Sequence, residues 1–325
     1  MESNLTIKSP WRSEDHDCQV LNPFVDWAFK YFVQQEDILK EFLNRLLEPA
    51  SPIVSITYGD PEVIPDNDVM KRSVFDVLCR DEKGTEFIVE MQNSHFSNMK
   101  ERLLYYACRL IDHQGRKGNE WQYNLRPVVG ICIMNQTISG LDSLRSDVHL
   151  IEEASGKVFS DKIRFVILQA PRLKAKSFEE GQKFCESLIY LLKEMQKGMK
   201  TAEQLKAEIM LANHEKALKE YYLKIVELGK HLTPADQEKY DESLKIYRDS
   251  LCSFSYAKNE GREEGREEGR EEGRAEGREE GFAEGKEVGR EEEKAAIARS
   301  MKEAGLPVET IARCTGLAER EIITL

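Results

Sequence analysis

No run in this sequence approaches the roughly 20 consecutive apolar residues of a membrane-spanning helix. The opening MESNLTIKSPWRSEDHD likewise holds no apolar stretch that could act as a secretion signal. The seven cysteines (Cys18, Cys79, Cys108, Cys132, Cys185, Cys252 and Cys314) are odd in number and scattered, with neither a CxxC pair nor Cys and His at metal spacing. These absences speak against a disulfide framework and a thiolate metal site, and predict reduced thiols in a cytoplasmic chain with no membrane partner. Net positive charge is missing too, the formal charge being -12 at pH 7. Spread evenly, that balance would argue against a nucleic-acid partner, because phosphate binding rests on Lys and Arg. It is concentrated instead: residues 260–293 hold fifteen Glu against seven Lys or Arg, and the remaining chain carries -4. The acidity belongs mostly to the tail, and a basic groove elsewhere is compatible with it.

What is present divides the 325 residues into zones. Residues 1–21 are polar and expected to be flexible. From Asn22, NPFVDWAFKYFVQQEDILKEFLNRLLEP places Phe24, Trp27, Phe32, Ile38, Phe42, Leu43 and Leu46 at spacings that predict one or two amphipathic helices ended by Pro49. Short β-branched runs at 53–58, 73–79, 86–91, 127–134 and 164–169 predict strands. Between the third and fourth, SNMKERLLYYACRLIDHQ has Met99, Leu103, Tyr106, Ala107 and Leu110 at helical spacing, with Ser97 as N-cap. A helix among strands predicts an α/β core over 22–198. A helical extension over 199–258 follows.

After Ala257 glycine recurs at every fourth position from Gly261 to Gly289. Successive glycines turn about 40° round a helix axis, and each costs about 1 kcal/mol relative to Ala. The 259–290 repeat therefore reads as a marginal solvated helix or a spacer, with self-association as the alternative. In 291–325, Ala312, Gly316 and Ile322 stand at helix-turn-helix positions. The second helix, AEREIITL, has one Arg against two Glu and little to meet base edges. It favours a dimerisation or partner-binding hairpin.

The informative stretch is FDVLCRDEKGTEFIVEMQ, residues 75–92. With Glu82, Lys83 and Gly84 as a three-residue loop and Gly84 left-handed, Asp81 faces Thr85. The antiparallel register then pairs Leu78 with Ile88 and Asp76 with Glu90. Cβ atoms of opposed residues lie about 4.5–5.5 Å apart, where like charges repel unless neutralised. Gln92 shares that face two residues on. A solvated hairpin face and a divalent metal site, with the Met91 carbonyl as a further ligand, both fit. Val74, Leu78 and Ile88 on the same face favour the site, since the acids interrupt an apolar surface.

The run KRSVFDVLCRDEKGTEFIVEMQ, preceded by NPFVDWAFKYF and followed by RLLYYACRLIDHQ, YNLRPVVGICIMN, YDESLKIYRDSL, the Gly/Glu/Arg repeat and TGLAEREI, resembles the recombination-promoting nuclease and putative transposase family of the PD-(D/E)XK superfamily. The resemblance implies a restriction-endonuclease-like mixed sheet flanked by helices, with a helical C-terminal extension. It also implies DNA phosphodiester cleavage dependent on Mg²⁺, with Mn²⁺ as an alternative. On it, Asp76 and Glu90 match the metal-binding acids, Gln92 stands where the superfamily usually has Lys, and Phe75 replaces the motif Pro. Lys30, Lys71 or Arg102 could supply the missing positive charge. Asp26 could add an acid or cap its helix. Arg102, Arg109 and His113 recur along one face of their helix and could follow a DNA backbone or form a solvated face. A homo-oligomer built through the tail is expected. The alternative function is a catalytically quiet DNA-binding or multimerising scaffold.

Overall fold

The structure is a computed structural model that describes residues 20–63, 73–93, 98–115 and 122–325. Contacts divide the chain into two units, Met1–Arg248 and Asp249–Leu325.

In the first unit, α1 (Asp26–Val33) buries Ala28, Phe29, Phe32 and Val33, and α2 (Glu36–Leu47) buries Ile38, Leu39, Phe42, Leu43 and Leu46. Residues three and four apart fall on one stripe of a helix, and both stripes enter the same core. Glu48, at φ 45°, ends α2 just before Pro49. The strands are β1 (Ile56–Tyr58), β2 (Glu62–Val63), β3 (Ser73–Val74), β4 (Val77–Asp81), β5 (Glu86–Gln92), β6 (Val128–Met134), β7 (Arg145–Ile151) and β8 (Val158–Gln169), with α3 (Met99–Asp112) between β5 and β6. Six of them form one mixed sheet ordered β1-β4-β5-β6-β8-β7. The β5–β6 and β6–β8 pairings are parallel, the others antiparallel. β2 and β3 make a separate antiparallel ribbon.

β5 lies inside the sheet and all seven of its residues are buried. Side chains alternate along a strand, so Phe87, Val89 and Met91 enter the large core with α1 and α2, while Ile88 packs against Tyr106, Ala107 and Leu110 of α3. Glu90, paired with Cys132, shares the α3 face. The other side is covered further by α4 (Phe184–Lys197), α5 (Ala202–Leu211) and α6 (Lys216–Glu227), which contribute Leu188, Leu205 and Tyr222 to that same core. Residues after 198 therefore continue the core, because their apolar faces fall on it. So does the start of α7 (Pro234–Glu303), through Tyr240 and Tyr247.

Two strand expectations need correction. The 73–79 run is broken: β3 pairs with β2, Phe75 N donates to Pro61 O over 2.9 Å, and the chain bends at Asp76 before β4 begins. The hairpin register is as expected at Leu78 and Ile88, Gly84 is left-handed at φ 86°, and Asp81 N donates to Thr85 O. The ladder stops at Val77 and Val89, however, so Asp76 does not sit opposite Glu90 as a strand pair. β7 was not expected at all. It is an edge strand with no fully buried residue, so it lacks the apolar run that marks a buried strand.

In the second unit α7 runs without a break through the glycine repeat, where each residue is exposed. Of the two forms open to residues 259–290, the structure adopts the solvated helix. Beyond it, α8 (Val308–Thr315) and α9 (Glu319–Thr324) are joined through Gly316 at φ 71°. Ala298, Ile311 and Ile322 form a small core there. Lys302 Nζ donates to the carbonyls of Ile322 and Ile323, tying the end of α9 to α7.

Candidate active site

The bend at residue 76 and the polar end of β5 meet. Asp76 Oδ2 accepts the N–H of Met91 over 2.9 Å. Asn135 N donates to Gln92 O, so the even-numbered backbone groups of β5 turn toward β6, and those of Met91 turn toward Asp76. The Met91 carbonyl is thus on the Asp76 side of the strand. Glu90 is 0% exposed. Gln92 Nε2 donates to its Oε2 over 3.3 Å, and Arg102 Nη2 on α3 lies 3.7 Å from that oxygen. Glu90 Oε1 is buried without a hydrogen-bond partner.

Burial, aided by the charge of Asp76, pushes the Glu90 carboxyl up to about 7 against the pull of Arg102, Gln92 and Lys30. Burial also raises Asp76, opposed by the Met91 N–H and by Lys30 and Arg102. Two buried carboxyls, one of them raised by the charge of the other, and an orphaned carboxylate oxygen suit a site for a hard cation. Among the described residues no group of three or more His, Cys, Asp or Glu suits a metal ion. Mg²⁺ commonly takes only one or two carboxylates and fills its shell with water and substrate oxygens. Asp76, Glu90 and the Met91 carbonyl fit such an ion.

The remaining sequence candidates separate. Asp26 and Lys30 form an i,i+4 ion pair of 2.9 Å on α1. The Lys30 charge acts on both buried carboxyls and that of Asp26 on Asp76, so α1 lies within electrostatic reach of the site. Lys71 and Ser97 fall outside the described residues. Arg109 is only 6% exposed, so Arg102, Arg109 and His113 do not make a solvent-facing stripe; the turn carrying Arg109 is packed against the sheet.

Sequence reasoning placed Tyr106 in the core and overlooked its hydroxyl. Arg102 Nε donates to Tyr106 Oη over 2.8 Å, and the ring meets Phe75 edge to face with centroids 4.9 Å apart. The four-residue spacing from Arg102 to Tyr106 was the available signal. Asn93 and Asn135 were also missed. Asn93 Nδ2 donates to Phe24 O and Asn135 Nδ2 to Asn93 Oδ1 over 3.4 Å, tying the end of β5 to the entry of α1 and the end of β6.

A family model described as PD-(D/E)XK nuclease family transposase matches residues 23–257. The chain belongs to this family. No curated protein and no solved structure matches it. As a PD-(D/E)XK nuclease family transposase it has a nuclease- or transposase-related function, and its mixed six-stranded sheet flanked by helices is consistent with the restriction-endonuclease-like fold. The matched span contains the carboxylate pair, α3 and the start of α7, and stops before the first repeat glycine, Gly261. Among the described residues no helix is long and apolar enough to cross a membrane.

Proposed function

We propose that the chain is a metal-dependent DNA endonuclease hydrolysing phosphodiester bonds in recombination, mobile-element movement or defence. The observation that carries this is Glu90: a wholly buried carboxyl with one oxygen lacking a partner, beside Asp76, in a chain of a nuclease family. Asp76, Glu90 and the Met91 carbonyl would hold Mg²⁺ or Mn²⁺. A bound divalent ion supplies Lewis-acid chemistry, activating water and screening phosphate charge. Asp76 is held in place by the Met91 N–H, and α3 closes the Glu90 side to bulk water. The Gln92 amide, already fixed to Glu90, can orient water by hydrogen bonds but carries no charge.

Self-association through the C-terminal tail, residues 259–325, belongs to the same proposal. The test is incubation of the purified protein with supercoiled plasmid in Mg²⁺, Mn²⁺ or EDTA. Nicked or linear product in either metal, and none in EDTA, is the expected result. Plasmid that is shifted on a gel yet stays intact in every condition would overturn the endonuclease assignment in favour of a quiet DNA-binding or multimerising scaffold, the reading that the neutral Gln92 supports.

A further inference from the structure

We propose that Arg102, held by Tyr106, is the phosphate-contacting cation of the site. This rests on the nuclease reading, because it concerns the same DNA phosphate that the carboxylates address. Hydrolysis of a phosphodiester loads negative charge onto the phosphoryl oxygens, and cations or preorganised donors aimed at that charge are among the largest catalytic contributions. Gln92 is neutral, and both other side chains of the site are acids. A positive side chain must come from elsewhere in the fold.

Arg102 is suited to the part. Its Nη2 stands 3.7 Å from Glu90 Oε2, within ion-pair distance of the carboxylate. Its Nε is engaged by Tyr106 Oη at 2.8 Å, and the guanidinium carbon lies 5.2 Å from the Tyr106 ring centroid. Anchoring Nε fixes the plane of the guanidinium, whose fork matches the spacing of phosphate oxygens. Tyr106 is fixed in turn by the edge-to-face contact with Phe75, the residue preceding Asp76. One chain of contacts therefore orients the carboxylate bend and the cation together.

Lys30 pairs with Asp26 on α1, Arg80 and Arg126 meet Glu86 at the far end of β5, and Arg109 is buried two turns along α3. Arg102 keeps its side chain 30% exposed while touching the site, which lets it meet an incoming backbone. Tyr106 acts through Arg102 and is a positioning residue.

The test uses the full-length protein with Arg102→Gln, Arg102→Lys, Tyr106→Phe and the double variant Arg102→Gln/Tyr106→Phe. Affinity for a short DNA duplex is measured in Ca²⁺ over a salt series, and the cleavage rate in Mg²⁺. Arg102→Gln is expected to lower the salt slope by about 1 and the cleavage rate about 100-fold, with Arg102→Lys recovering part of both. Tyr106→Phe is expected to fall between wild type and Arg102→Gln, and the double variant to be no worse than Arg102→Gln. Wild-type affinity and salt slope in Arg102→Gln would overturn the cation, and a Tyr106→Phe loss that adds in full would overturn the positioning role. Should wild type bind duplex without cutting it, the nuclease reading fails by itself and the binding series still decides Arg102.

Discussion

A carboxylate without exposed surface is costly to ionise unless a cation lies beside it. Glu90 has no exposed surface and is raised from 4.5 to about 7, so without metal the folded protein holds its proton more tightly than the unfolded chain does. Stability from this group is fully present below pH 4.5 and is lost as the pH rises through 7, by about 3 kcal/mol at most. Glu90→Gln removes the titration while keeping the shape. Urea unfolding in EDTA should therefore show Glu90→Gln gaining on wild type between pH 5 and pH 8. A difference independent of pH would mean that Glu90 is not buried as a strained acid. Adding Mn²⁺ at pH 8 should raise wild type more than the variant, because the cation replaces the proton.

At the scale of elements, β5 and its neighbours hold the site, and their packing is tight where an aromatic covers a glycine. A Cβ on Gly130 of β6 would lie 2.7 Å from Cδ1 of Phe165, the residue it pairs with on β8. Gly130→Ala should cost about 1–3 kcal/mol through forced displacement of that ring, measured by urea unfolding. An unchanged midpoint would show that the ring moves freely. Most of this layer was legible from local pattern: the Gly84 turn set the register, and Ile38, Phe42 and Leu46 marked the buried stripe of α2. The bend at Asp76 was not legible, because it depends on Pro61 capturing the Phe75 N–H and on Met91 N–H meeting a side chain from outside its ladder. Both are long-range contacts. β7 was hidden because an exposed edge strand carries no apolar signature, and Arg109 because helical spacing says which residues share a face but not what covers it.

For the whole molecule, the division at Arg248 and Asp249 leads to the prediction that the first unit folds without the repeat. The start of α7 belongs to that unit: Tyr240 Oη accepts Asn22 N over 3.0 Å, Tyr247 Oη accepts Gln196 Nε2 over 2.8 Å, and both rings are buried. A chain ending at Arg248 should keep a cooperative thermal transition, and one ending at Thr233 should lose at least about 3 kcal/mol. Equal transitions in the two truncations would place the boundary wrongly.

The central claim is that Asp76 and Glu90 act together as the metal-holding pair of a DNA endonuclease, and plasmid cleavage by their alanine variants tests it most directly. With metal concentration, salt and protein held fixed, Asp76→Ala and Glu90→Ala should each abolish Mg²⁺- or Mn²⁺-dependent cutting while keeping a cooperative unfolding transition. Cutting at the wild-type rate by either folded variant would contradict the site.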